Sequence, residues 1–347
     1  MRNNIADSDM YRQVMSLPEQ IESALVADLG DFDGFPAAKK VCVYGMGASA
    51  LAGNVVSDYS DSVSGPLVEI IRDVELPGWI DEDSIVFLVS YSGDTHEVLT
   101  AYDRTMERGC KTVCISSGGL LSERCKNDGG KLIRVEPGLT SRGAIGLIIG
   151  SIASVISKLN IGDMADNLRA ILPELREHRD RLAHEDQWIA EGLANDMFEK
   201  IPVIYALDNM RSVAMRWKSQ LNENSKSLAF FGSFPEFNHN EIVGWIDDKE
   251  MSMLFRPVVL SDMEASSKMR RMSDTSIAML ADKKVKMVTY NVDGSNSLSK
   301  NLKCILTGDL VSLYLADLRG IDPLTNGPIK DIKDRIANDG TYDESTI

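Results

Sequence analysis

The chain has 347 residues, 44% hydrophobic and 26% charged, with 11 prolines. That composition excludes disordered, collagen-like and coiled-coil classes and allows about two domains of ~150 residues each. Its 37 Lys and Arg against 52 Asp and Glu leave a formal charge of −15, the wrong sign for a protein made to bind nucleic acid or an anionic membrane.

A polar helix is expected over 8–28. Next comes a β-branched strand at 40–44 that stops at Gly45 and Gly47 and passes into a helix over 49–59. The same grammar repeats with strands at 67–71 and 84–89, a helix over 95–108, and strands at 112–116 and 131–135. Alternation at these spacings implies a parallel, doubly wound sheet with helices on both faces. From 142 to 195 the pattern is almost wholly helical, apolar over 143–159 and amphipathic over 164–195. Strands at 202–207, 253–259 and 285–289 then alternate with helices at 210–222, 266–280 and 297–318. The expected fold is therefore α/β with two tandem domains, 1–155 and 196–347, joined by a helical connection at 156–195. The acidic tail 339–347 is expected to fray.

The longest apolar stretch, 144–155, is about half the ~20 residues a membrane-spanning helix needs, and 1–23 lacks the apolar centre of a signal peptide. A cytoplasmic protein is expected. The five cysteines (Cys42, Cys110, Cys114, Cys125, Cys304) are odd in number and set largely in apolar runs, which argues against a disulfide framework. None of the four histidines (His96, His178, His184, His239) is spaced with acidic or thiol partners as a zinc site needs, so no metal is expected.

Two turns carry chemistry. Gly45-Met46-Gly47-Ala48-Ser49-Ala50 follows a strand and opens a helix, where glycines admit close approach of an anion and the helix N-terminus offers free N–H groups. A phosphate group, a dinucleotide or a tight packing turn all fit it. The second turn, Ser90-Tyr91-Ser92-Gly93-Asp94-Thr95, places hydroxyls at the carboxyl end of another strand, where open α/β sheets bind ligands. Ser92 or Thr95 as a simple helix cap is the alternative.

Tyr44-Gly45-Met46-Gly47-Ala48-Ser49 followed by Ser90-Tyr91-Ser92-Gly93-Asp94-Thr95 resembles the sugar isomerase (SIS) domain. In the second half, Leu221-Asn222-Glu223-Asn224-Ser225-Lys226, the run from Glu236 to Trp245, and Gly320-Ile321-Asp322-Pro323 with Pro328-Ile329-Lys330-Asp331-Ile332-Lys333 resemble the bifunctional phosphoglucose/phosphomannose isomerase family. Ala48, where the family usually has a second glycine, and Ser141, where it tends to have a proline before the arginine, depart from the pattern.

The resemblance implies two tandem SIS domains and interconversion of glucose 6-phosphate or mannose 6-phosphate with fructose 6-phosphate through a metal-independent cis-enediol, with no cofactor. It makes Glu223 the base, Arg142 the group that stabilises the enediolate, His239 the ring-opening acid/base reaching a partner subunit's site, and Lys333 an ammonium near the sugar oxygens. Phosphate would rest on Gly47, Ser49, Ser90, Ser92 and Thr95. Asn238, Asn240 and Glu241 are suited to orienting His239, and Thr325 and Asn326 to shaping the pocket near the C2 and C3 hydroxyls. A two-fold homodimer is expected. Competing readings are an isomerase or deglycase for amino sugar or glycated-amine phosphates, a phosphosugar-sensing regulatory module, and a nucleotide-dependent dehydrogenase.

Overall fold

The computed structural model describes residues 5–35, 40–63, 65–73 and 75–338. Two helices, α1 (Asp9–Met15) and α2 (Leu17–Val26), replace the single helix expected at the N-terminus. Ser8 caps α1 by accepting from Tyr11 N–H at 3.1 Å, and Pro18 lies in the first turn of α2, where a missing N–H is tolerated but could not continue a preceding helix.

The first sheet holds β1 (Lys40–Gly45), β2 (Leu67–Ile71), β3 (Ile85–Val89), β4 (Lys111–Ser116) and β5 (Lys131–Arg134), all parallel in the order β2-β1-β3-β4-β5. Its central strands are continuous apolar runs because both faces are covered. Val41, Val43, Ile85 and Phe87 pack under α3 (Gly47–Ser62) and α6 (Ile145–Lys158). The alternate residues Cys42, Tyr44, Val86 and Leu88 pack under α4 (His96–Glu107) and α5 (Gly119–Asn127).

Beyond α6, the helices α7 (Met164–His184) and α8 (Gln187–Met197) lead to the second sheet. It comprises β6 (Ile201–Leu207), β7 (Phe230–Phe234), β8 (Phe255–Asp262) and β9 (Val288–Val292), parallel in the order β7-β6-β8-β9. Helix α9 (Arg211–Glu223) follows β6, the short α10 (Glu241–Asp247) and α11 (Lys249–Ser252) precede β8, and α12 (Ser267–Asp282) follows it. Strand β7 escapes the sequence reading: it is a half-exposed edge strand with Gly232 at its centre, where a Cβ would stand 2.6 Å from the Tyr205 ring. Strand β9 begins three residues later than expected because Lys284 takes a left-handed turn (φ 63°) and Val285 N–H returns to Leu280 O at 3.0 Å.

Helix α13 (Ser297–Leu318) is buried almost throughout and ends in the exposed α14 (Gly327–Asn338). Leu302, Ile305 and Leu310 of α13 share one core with Met10, Val43, Ile148, Leu168, Trp217 and Ile204. One face of each sheet therefore closes on the same helical layer. Gly308 backs onto the Trp217 indole, 2.1 Å from where a Cβ would sit, and that indole donates to Cys304 O at 2.8 Å. All five cysteines are buried free thiols. No described helix is long and apolar enough to cross a membrane. The tail 339–347 lies outside the described residues.

Candidate active site

The sheet order reverses between β1 and β3, and both motif turns leave the carboxyl ends of these neighbouring strands. At the first, Gly47 takes φ +51° and nothing lies within 4 Å of its missing Cβ. Met46 at the cap offers no side-chain acceptor, so the positive end of the α3 dipole stays open. Ser49 is buried just behind it. At the second, the Ser90 and Thr95 hydroxyls bond each other at 2.8 Å, and Ser90 Oγ accepts from Gly93 N–H at 3.1 Å. Thr95 is the N-cap of α4 by position, yet its hydroxyl makes no capping bond. The exposed Ser92 accepts from Asp94 N–H at 3.3 Å. Gly93 takes φ +82°, and a Cβ there would sit 1.9 Å from Gly118 O, so only glycine fits where this turn meets the one after β4.

Arg142 is fixed to the same edge. The Tyr91 hydroxyl donates to Glu136 O at 2.8 Å and accepts from Leu139 N–H at 3.0 Å, tying the loop before Arg142 to the hydroxyl turn. From the N-terminal helices, Gln13 Oε1 accepts from Thr140 N–H and Oγ1 at 2.8 Å each, and Gln20 Nε2 donates to Gly143 O at 2.8 Å. The Arg142 side chain is 3% exposed. Its Nε donates to Asn224 Oδ1 at 2.7 Å and Nη2 to Pro323 O at 2.5 Å. With the Asn326 amide oxygen turned toward it, Nη1 donates there at 2.6 Å, and it faces Glu223 Oε2 at 3.6 Å. Burial lowers this guanidinium from its ordinary value while the Glu223 carboxylate raises it; an arginine stays charged through such a shift.

Behind Arg142 stands a second buried cation. Arg216 donates Nε and Nη2 to Asp309 Oδ1 and Oδ2 at 2.9 and 2.7 Å, and Nη2 also to Arg142 O at 2.7 Å. Asn224 Nδ2 donates to Ser312 Oγ at 2.9 Å, and Ser312 Oγ to Asp309 O at 2.6 Å, closing the network.

Helix register sets Glu223 level with the first turn. Ser212 N–H donates to Asp58 Oδ2 at 3.0 Å, and Arg72 Nη2 reaches both Asn54 Oδ1 and, at 3.6 Å, Met215 Sδ. Walking back along α3 from Asp58 to Asn54 thus walks forward along α9 from Ser212 to Met215. Continued at 1.5 Å per residue, this antiparallel register sets the start of α3 at Gly47 level with the end of α9 at Glu223.

Residues 35–128 match the SIS domain family, and residues 187–336 match the bacterial phospho-glucose isomerase C-terminal SIS domain. A bifunctional phosphoglucose/phosphomannose isomerase of Caldicellulosiruptor bescii is 33% identical over 94% of this chain and 99% of its own length. Another of that name from Aquifex aeolicus is 30% identical over 94% and 98%. The chain belongs to the bifunctional phosphoglucose/phosphomannose isomerase family. The C-terminal domain of a glucosamine-fructose-6-phosphate aminotransferase from Francisella tularensis shares the fold at TM-score 0.72 with 14% identity, covering 92% of this chain and 99% of that one.

In this family member, Gly47, Ser49, Ser90, Ser92 and Thr95 lie in the turns at the carboxyl ends of β1 and β3, the loop of Arg142 is tied to that edge through Tyr91, and Glu223 faces Arg142. His239 and Lys333 stand apart. His239 is exposed at the end of the 3₁₀ turn Glu236–His239, and no hydrogen bond or ion pair among the described residues joins it to Arg142 or Glu223. Its expected orienting residues are engaged elsewhere, which corrects that reading. Asn238 Oδ1 accepts from Ser276 Oγ at 2.6 Å, Asn240 caps α10 and donates to Glu236 at 2.6 Å, and Glu241 Oε2 accepts from Tyr205 OH at 2.5 Å.

Lys333 lies on α14, exposed beside Ile329, Ile332 and Ile336, which are 45–59% exposed. Sequence reading missed Asn224 as the acceptor for Arg142, and missed Arg216 and Asp309. The signal for that pair was present: Arg216 interrupts the apolar face formed by Val213, Ala214, Trp217 and Leu221, and Asp309 interrupts the apolar run of α13. A charge on a buried face requires a partner.

Proposed function

We propose that this chain interconverts glucose 6-phosphate and mannose 6-phosphate with fructose 6-phosphate by proton transfer through a cis-enediol, without a metal ion. The observation that carries the reading is the pairing of a 3% exposed guanidinium with a 26% exposed carboxylate at 3.6 Å, one side chain dry and braced, the other open to a ligand.

In this mechanism the phosphate rests on the uncapped start of α3 at Gly47 and Ser49 and on the hydroxyls of Ser90, Ser92 and Thr95, neutral donors suited to a chain of charge −15. Glu223 removes the proton from C2 or C1; its carboxyl, 26% exposed, exchanges that proton with solvent and delivers one to the other carbon. Negative charge builds on the C1 and C2 oxygens as the enediolate forms, and Arg142 meets it with a cation whose position is already set by four groups around it. The two aldoses differ only at C2, and deprotonation there gives one planar enediol. A base that tolerates either C2 configuration therefore serves both.

Ring opening falls to His239 and Lys333. Within one chain both are exposed and distant in their bonding from the Arg142–Glu223 pair, which supports a homodimer in which His239 enters the second copy's site. The exposed isoleucines of α14 support the same association.

The test incubates the protein with fructose 6-phosphate and EDTA in D2O and follows products by NMR. Glucose 6-phosphate and mannose 6-phosphate both appearing, each deuterated at C2, is the expected result. One epimer alone would limit the pocket to that substrate, and no product would refute the proposal and send the search to amino sugar phosphates.

A further inference from the structure

A residue in the turn just past α9 carries a strained backbone. Lys226, three positions beyond Glu223, takes φ +53°, the left-handed region that costs a residue with a Cβ about 1–2 kcal/mol and that glycine occupies freely. Its side chain explains why lysine stands there. Nζ donates to Glu223 O and, at 2.6 Å, to Thr325 O. The first carbonyl belongs to the residue whose carboxylate faces Arg142. The second lies between Pro323 and Asn326, both of which accept hydrogen bonds from the Arg142 guanidinium. One ammonium thus ties the carrier of the base to the segment that braces the cation. Asp322 supports the same turn, its carboxylate accepting from Leu324 N–H at 2.9 Å. Burial and the Arg142 guanidinium lower the ammonium from its ordinary value, with Asp322 and Glu223 opposing.

We propose that Lys226 is a positioning residue for proton transfer: its ammonium locks the main chain at Glu223 to the Thr325 carbonyl and so holds the carboxylate at its working distance from Arg142. This rests on the isomerase reading. A lysine that merely shaped this turn would be replaced by glycine with a gain in stability, because the left-handed strain disappears. A positioning lysine gives a different result, since a base displaced by about 1 Å can lose ~100-fold in rate.

The test measures turnover of fructose 6-phosphate and the thermal midpoint of wild type, K226G and K226R. Expected are a K226G midpoint at or above wild type, kcat lowered ~10- to 100-fold, KM within about threefold, and turnover by K226R well above that of K226G. Wild-type kcat in K226G, or K226R no faster than K226G, overturns the inference. Should K226G melt below wild type, K226Q takes its place in the same comparison, keeping the backbone strain but not the charge. Wild-type protein that turns over neither aldose phosphate overturns the functional reading itself, a result seen before any variant is made.

Discussion

The Arg216–Asp309 pair sets the position of Arg142 from behind, and its removal has a calculable cost. Arg216 and Asp309 side chains are 1% and 4% exposed and joined by two parallel bonds. R216M leaves a buried carboxylate without its cation, and D309L leaves a buried guanidinium without its anion; each should cost about 3–5 kcal/mol. The double variant R216M/D309L leaves no uncompensated charge. It loses the donor to Arg142 O, held at 2.7 Å in the native chain, and an unsatisfied buried carbonyl costs about 1–3 kcal/mol. Because the singles together reach at least about 6 kcal/mol and the double at most about 3, non-additivity should be about 3 kcal/mol or more. Urea unfolding followed by tryptophan fluorescence, to which the fully buried Trp217 next to Arg216 contributes, measures all three. Strictly additive losses would refute the claim that these two charges exist in the core for each other.

Three further outcomes follow from the site and its surroundings. E223Q should retain the KM for fructose 6-phosphate within a few-fold while kcat falls by ~100- to 10,000-fold, the range for loss of a positioned base; stopped assays decide it, and near-native turnover removes Glu223 from that role. Co-refolded E223Q and H239A, each inactive alone, should regain about a quarter of native activity if His239 serves the second copy's site, because half the random dimers are mixed and each of those holds one intact site; no recovery means the two residues act within one chain.

The pH dependence of stability has a source in His178, which contacts Lys303 O and Thr307 Oγ1 at 3.2 and 3.1 Å. Burial, aided by the Lys303 ammonium, lowers it from 6.5 to about 4. The unfolded chain then binds the proton more tightly, so this contribution is fully present above pH 6.5 and is lost as pH falls toward 4, the loss amounting to about 2 kcal/mol by pH 5. Unfolding titrations should show that slope in wild type and not in H178Q; equal slopes refute it.

The fold was legible where burial is two-sided. Val41 to Tyr44 and Ile85 to Val89 are apolar without interruption because helices cover both faces, and the glycine and hydroxyl turns that close them mark them as strands rather than buried helix. Edge strand β7 was not, since Phe-Phe-Gly-Ser-Phe owes its place to the close approach of Gly232 to Tyr205, a contact across the sheet that no local pattern records. In the site, turns announce themselves through residue type, and Arg142 and Glu223 through resemblance. The groups that position them are ordinary in sequence. Gln13, Gln20 and Asn224 look like solvated polar residues, and Lys226 looks like a surface lysine until its two carbonyl partners, one 99 positions away, are in view. The misreading around His239 has the same origin, for asparagine and glutamate cap helices and hold phenols as readily as they orient imidazoles.

The paired architecture also explains why the two halves do not each carry this site. Strand β6 followed by α9 repeats β1 followed by α3, each at the place where its sheet order reverses. Because α3 and α9 run antiparallel, the N-terminus of each meets the C-terminal end of the other. At the start of α9, the Asp58 carboxylate accepts from Ser212 N–H at 3.0 Å and supplies the anion itself. At the start of α3, the matching position late in α9 is held by Glu223, and its carboxylate is turned to Arg142 instead. In the proposed mechanism one helix end is filled by the protein and the other takes the substrate's anion, with the acidic side chain beside it serving proton transfer. A duplicated fold that kept both carboxylates as caps would have two stable ends and no site. The difference rests on Arg142, whose loop is drawn to this edge by Tyr91, Gln13 and Gln20 and held there by Arg216.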